Sequence, residues 1–170
     1  MTGYTPADWS NFALAQVGAS AALLGLVFVG ISINLRDFVG SRRLVNRAFE
    51  AIVMLASVLI TSTAVLIPDQ SREALGIQLV ILGAITCGVV LRVQSGMHAD
   101  VVPRGGRGPT RLSAVARRVL ALGSALLVVV TGVLLLAEAG GGLYWWPLAV
   151  VTAYLAALFD AWVLLVEILR

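Results

Sequence analysis

The sequence predicts an all-α, polytopic membrane protein, a single domain over residues 1–170 built as a bundle of five transmembrane helices. Hydrophobic residues make up 59% of the chain and charged residues 12%, against roughly 45–50% and about 25% in soluble globular domains. So few charges cannot cover the water-facing surface of a soluble fold of this length, whereas a bilayer accepts an apolar exterior. The apolar residues also gather into five long runs separated by short polar connections. This composition excludes a secreted enzyme, a nucleic-acid-binding domain and a disordered tail.

The first run, about residues 9–35, carries no charge between Asp8 and Arg36. Met1–Asp8 lacks the positive region of a signal peptide and reads as the lead into this span. The second run, about 48–67, stops at Pro68-Asp69, because proline has no backbone N–H to continue a helix. The third covers about 74–93 and the fourth about 119–137. The fifth opens near Pro147, whose fixed φ suits the first helical turn, and continues to about 168. Each is long enough, at about 1.5 Å per residue, to cross roughly 30 Å of hydrocarbon. Helices satisfy their backbone groups internally, as lipid requires, and continuous rather than alternating apolar runs exclude a β-barrel.

Orientation is read from the basic residues, all 12 of which are arginine. Arg36, Arg42, Arg43 and Arg47 crowd the first connection. Arg104, Arg107, Arg111, Arg117 and Arg118 crowd the third, with Arg92 at its edge. The second has Arg72 beside Asp69 and Glu73, and the fourth has none. The positive-inside bias makes the odd connections cytoplasmic, the N-terminus external and the C-terminus internal. The expected location is therefore a bacterial cytoplasmic (inner) membrane. Residues 94–114, rich in Gly, Pro and Arg, read as a cytoplasmic loop. Arg42, Arg43, Arg104 and Arg107 are expected against anionic lipid head groups, with no nucleic acid as partner. Tyr144, Trp145 and Trp146, with Trp9 and Phe12 at the same level, are expected to form an outer aromatic belt.

Inside the membrane, polar groups are where chemistry could lie. Asp160 sits deep in the fifth run, where a carboxylate costs several kcal/mol unless it is paired, hydrated or protonated. Ala149, Ala153, Ala156, Ala157, Asp160 and Glu167 share one helical stripe, and small residues mark faces that pack closely on other helices. In the first run Gly18, Ala22, Gly25 and Ser32 form a similar stripe ending at Arg36, with Gln16, Ser20 and Asn34 beside it. The first helix is therefore expected to be central and to partner Asp160. By depth, Asn34, Arg36, Arg47, Glu50, Arg92, Gln94, Asp160 and Glu167 gather in the cytoplasmic half. Two readings stay open: interhelical bonds that set helix register, or an ion- or proton-binding vestibule with Asp160 as its deepest acid.

Signals for catalysis or cofactors are missing. The lone Cys87 reads as a small apolar residue, and the lone His98 cannot supply paired haem ligands within one subunit. No GxGxxG, P-loop or HExxH occurs, and an aspartyl protease would need a second deep carboxylate beside Asp160. No metal and no cofactor is expected. The expected function is a non-enzymatic accessory or scaffold protein that binds other membrane proteins or itself. The alternative is a homo-oligomeric ion channel or small transporter around Asp160.

The stretch from Gly18 to Arg36, most specifically Ser32-Ile33-Asn34-Leu35, resembles the opening of an uncharacterised family of small multi-spanning bacterial inner-membrane proteins. The likeness extends loosely through the second helix. The lysine-free, Ala-, Arg- and Leu-rich composition is similar to that of actinobacterial proteins. The resemblance implies a bacterial inner-membrane location and transfers no catalytic residue.

Overall fold

The computed structural model describes residues 2–33, 42–99 and 111–168. Every described element is helical: α1 (Ser10–Ile33), α2 (Arg42–Val65), α3 (Arg72–Ala99), α4 (Arg111–Leu136) and α5 (Trp146–Ile168). Short 3₁₀ turns at Thr2–Tyr4 and Pro6–Trp9 lead into α1, and another at Gly142–Trp145 leads into α5. Five helical segments are long and apolar enough to cross a membrane.

The helices outrun the apolar segments at the arginine-rich end. Helix α2 starts at Arg42 rather than near 48, α3 continues to Ala99 rather than 93, and α4 starts at Arg111 rather than near 119. The region expected as a loop over 94–114 is thus helical at both its edges, over 94–99 and 111–114, and 100–110 lies outside the described residues. Hydropathy marks where apolar surface ends, not where a helix does. Arg and Gln are good helix formers, so the backbone continues past the last apolar turn.

Helices α2, α3, α4 and α5 form a ring, each packed on the next and α5 returning to α2. Helix α1 lies outside this ring, mainly against α2. The expectation of a central first helix is therefore corrected. Among its residues only Ala13 and Ser20 are buried. The contact stripe continues through Leu23, Leu24, Val27 and Ile31, which pack on the ring. Gly18, Ala22 and Gly25 are exposed on the outside. Helix α1 is apolar all round, so its sequence could not distinguish an inner from an outer side. Leu23, Leu24, Val27 and Ile31 took the inner side, while Leu14, Leu26, Phe28, Val29 and Ile33 stayed exposed.

The most extensive helix pairing is α3 on α4, and glycines permit it. A Cβ on Gly132 would stand 2.6 Å from the Gly76 carbonyl oxygen and 2.9 Å from the Val80 nitrogen. A Cβ on Gly83 would stand 2.9 Å from the Val129 nitrogen. Backbone meets backbone at both places, leaving no room for even a methyl group.

Aromatic residues close the opposite end of the bundle. Phe12 meets Trp146 edge-on at 5.1 Å and Trp9 meets Tyr144 at 5.2 Å. The Gly141 N–H donates to the Tyr4 hydroxyl at 3.0 Å, with Gly141 at φ +93° in the turn before α5. Arg72 and Glu138 pair at 2.6 Å across the starts and ends of α3 and α4. The expected aromatic belt is only partly external. Tyr144 and Trp145 are exposed, whereas Trp146 is fully buried and Trp9 and Phe12 pack against its cluster. Trp146 opens α5 on the side that faces the ring, so its ring becomes core.

Gly132→Ala is expected to lower the unfolding free energy in mixed detergent micelles by about 1–3 kcal/mol, the usual cost of overpacking. Gly88→Ala, which has open space around it, is expected to leave stability unchanged or raise it by up to about 1 kcal/mol through helix propensity.

Candidate functional site

The interior stripe of each ring helix is apolar for most of its length and becomes ionic near the arginine-rich end. On α2 it runs through Val58, Leu55, Met54 and Ala51 to Glu50 and Arg47. On α4 it runs through Val128, Ala125, Ser124 and Ala121 to Arg117. Helix α3 contributes Val90 and then Gln94, and α5 contributes Ala153, Ala156, Ala157 and then Asp160. These spacings of three and four keep each polar group on the same inward face as the core residues before it. Ala51, Ala121, Ala156 and Ala157 pack together in one core cluster with Met54, Leu55 and Val90. Such small side chains let the helices approach closely enough for polar groups from all four to meet.

Glu50 is the hub. Gln94 Nε2 donates to its Oε1 at 2.7 Å and Arg117 Nη1 donates to its Oε2 at 2.5 Å. The same Arg117 nitrogen stands 3.8 Å from Asp160 Oδ1. Relative exposure is 1% for Glu50, 0% for Asp160, 4% for Gln94, 6% for Arg117 and 5% for Arg47. Both Asp160 carboxyl oxygens are buried, and neither accepts a hydrogen bond among the described residues. Directly toward the core, the Ser124 hydroxyl donates to the Ala121 carbonyl at 3.1 Å and lies 3.5 Å from Met54 Sδ.

The expected polar set is only partly brought together. Glu50, Gln94, Arg47 and Asp160 are buried at this end of the ring. Arg92 is exposed and stands apart from them; its carbonyl accepts a hydrogen bond from Ser95 at 2.9 Å. Two positions along α3 separate inward from outward, and Gln94 holds the inward one. Asn34, Arg36, Arg104 and Arg107, and the side chains of Glu167, Arg42 and Arg43, lie outside the described residues. Ala153 and Ala157 are buried on α5, whereas Gly18, Ala22 and Gly25 line the outer face of α1. Asp160 therefore meets α2 and α4 rather than the small-residue face of α1.

Arg117 is the residue that sequence reasoning missed, because it was counted among the topogenic loop arginines. Its spacing of four from Ala121, and of four again to Ala125, placed it on the buried face once α4 was known to start at Arg111. Cys87 is half-buried. Among the described residues no three His, Cys, Asp or Glu side chains gather as a metal-holding group.

Two acids and two arginines make the cluster formally neutral. Its Glu50 bridge ties α2 to α3 and α4, and Asp160 brings α5 to the same nitrogen. Burying such charges costs several kcal/mol per ion, offset only where geometry supplies partners.

Compared with models of protein families, with curated proteins and with solved structures, the chain matches none. The resemblance read on residues 18–36 draws no support from these comparisons.

Glu50→Ala is expected to destabilise the bundle by about 3–5 kcal/mol, since it removes one partner of a buried ion pair and the acceptor of Gln94. Arg92→Ala, on the exposed side of α3, is expected to change stability by no more than about 0.5 kcal/mol. Equilibrium unfolding in mixed micelles, followed by circular dichroism, separates the two.

Proposed function

We propose that the protein is an integral membrane protein of accessory or scaffold type, without enzymatic activity, that binds a second copy of itself or another membrane protein. One observation carries this reading: the small-residue stripe Gly18, Ala22 and Gly25 faces outward. Nothing lies within 4 Å of a Cβ built on Gly18 or Gly25. In lipid, small residues serve close helix approach, and this chain uses glycine that way between α3 and α4. Helix α1 carries the same chemistry on a side that none of the other described residues covers.

In this reading the arginine-rich end faces the cytoplasm of a bacterial inner membrane, with Arg42, Arg43, Arg104 and Arg107 at anionic head groups. Exposed Trp145 and exposed Trp162 bracket α5 at the two interfaces. Their separation along the helix is about 26 Å at 1.5 Å per residue, close to the roughly 30 Å of a hydrocarbon core.

A second reading, a homo-oligomeric channel or small transporter around Asp160, is favoured by the buried carboxylate that accepts no hydrogen bond among the described residues. The near-complete burial of the whole cluster supports the scaffold reading over it.

Native mass spectrometry in mild detergent is expected to show an oligomer for the wild type and a monomer for Gly18→Leu/Gly25→Leu, with thermal stability unchanged. A wild type that stays monomeric at every protein concentration removes self-association. Liposomes that conduct ions or protons through wild type, with selectivity altered by Asp160→Asn, would transfer the conclusion to the channel. A reporter fused after Arg170 is expected to read cytoplasmic, and a periplasmic signal would reverse the orientation.

A further inference from the structure

Two buried carboxylates compete for one guanidinium nitrogen. Arg117 Nη1 is bonded to Glu50 at 2.5 Å and stands 3.8 Å from Asp160, beyond hydrogen-bond reach. Glu50 has donors on both oxygens, from Gln94 and Arg117. Asp160, equally buried, has a hydrogen-bond donor on neither among the described residues. A carboxylate left without donors in a low-dielectric interior is the most expensive state that group can occupy. Attaching a proton removes the charge and leaves a neutral acid.

We propose that Asp160 is a proton-binding site, and that Arg117 exchanges between Glu50 and Asp160 as the proton binds and leaves. With the proton on Asp160, Arg117 belongs to Glu50, the arrangement described above. When the proton departs to water, the new carboxylate draws Arg117 Nη1 across the remaining gap of about 1 Å beyond hydrogen-bond contact. Glu50 then keeps Gln94. A cross-helix tie moves from α4–α2 to α4–α5, with no bond made or broken other than the O–H and the hydrogen bonds.

The groups facing Asp160 are accounted for from each side. Helix α2 presents Arg47 and Glu50, α4 presents Arg117, and Gln94 of α3 carries no charge. Helix α1 contains no ionisable residue between Ser10 and Ile33. On α5 itself the nearest described titratable group is Tyr154, while the Glu167 side chain lies outside the described residues. Exposed Trp162 stands two positions beyond Asp160, about 3 Å along the helix axis. The site is independent of what α1 binds, and neither outcome below depends on oligomeric state.

The test is isotope-edited infrared spectroscopy of the full chain in lipid nanodiscs, with ¹³C-carboxyl aspartate. The chain has five aspartates, Asp8, Asp37, Asp69, Asp100 and Asp160. One labelled protonated-carboxyl band is expected at neutral pH, lost on raising the pH and absent from Asp160→Asn. Should Asp160→Asn fail to fold, the combined Asp8→Asn, Asp37→Asn, Asp69→Asn and Asp100→Asn variant leaves Asp160 as the sole labelled carboxyl and is expected to retain the band. Only ionised aspartates at neutral pH, or a band that survives Asp160→Asn, would overturn the site. Glu50→Gln removes the carboxylate that competes for Arg117 and is expected to change the pH at which the band is lost. An unmoved titration would overturn the exchange.

Discussion

An ion placed between apolar helices must be answered by other polar groups, and that requirement organises one end of this bundle. Glu50 lies in a stripe that runs from Val58, Leu55, Met54 and Ala51 on one side to Arg47 on the other. Its two oxygens are satisfied only if α3 brings Gln94 and α4 brings Arg117 to the same point. Apolar contacts alone tolerate small rotations and slides of one helix on another, because lipid tails and leucine side chains are nearly equivalent surroundings. Directional bonds to a buried carboxylate do not. The cluster therefore specifies helix register where dispersion forces would leave it loose.

The opposite end is held by different means. Trp146 is buried beneath Phe12 and Trp9, and the turn before α5 is tied to the N-terminal segment through Tyr4 and Gly141. Between the two ends, α3 and α4 approach until backbone touches backbone at Gly76, Gly83 and Gly132. Aromatic stacking, glycine contact and a charge cluster thus divide the length of the ring between them, and α1 takes part only along one side.

That division bears on function. The ring is complete without α1, whose outer face carries Gly18, Ala22 and Gly25 between exposed Leu14 and Val29. A scaffold protein needs such a surface on an otherwise self-sufficient body. Asp160 belongs to the interior, where it lacks the donors that Glu50 has secured. In the proposed readings the two features concern different neighbours, a helix from outside and a proton from water, and nothing in the geometry obliges them to act together.

Much of the architecture was legible in the sequence. Long apolar runs, Pro68 after α2 and Pro147 at the start of α5 were enough to count the helices, because helix formation and hydrophobic burial depend on neighbouring residues. The buried Asp160 and Glu50 also stood out, since acids are rare among such residues. Helix ends were misread by six to eight positions at α2, α3 and α4, as arginine ends an apolar run without ending a helix. Which side of α1 faces inward, and whether Arg92 or Gln94 and which arginine reaches Glu50, depended on contacts between segments far apart in the chain. Residues 44 and 67 positions distant from Glu50 supply its partners. Local pattern determined what each helix is; only the mutual rotation of the helices, set by those distant contacts, decided what the buried charges meet.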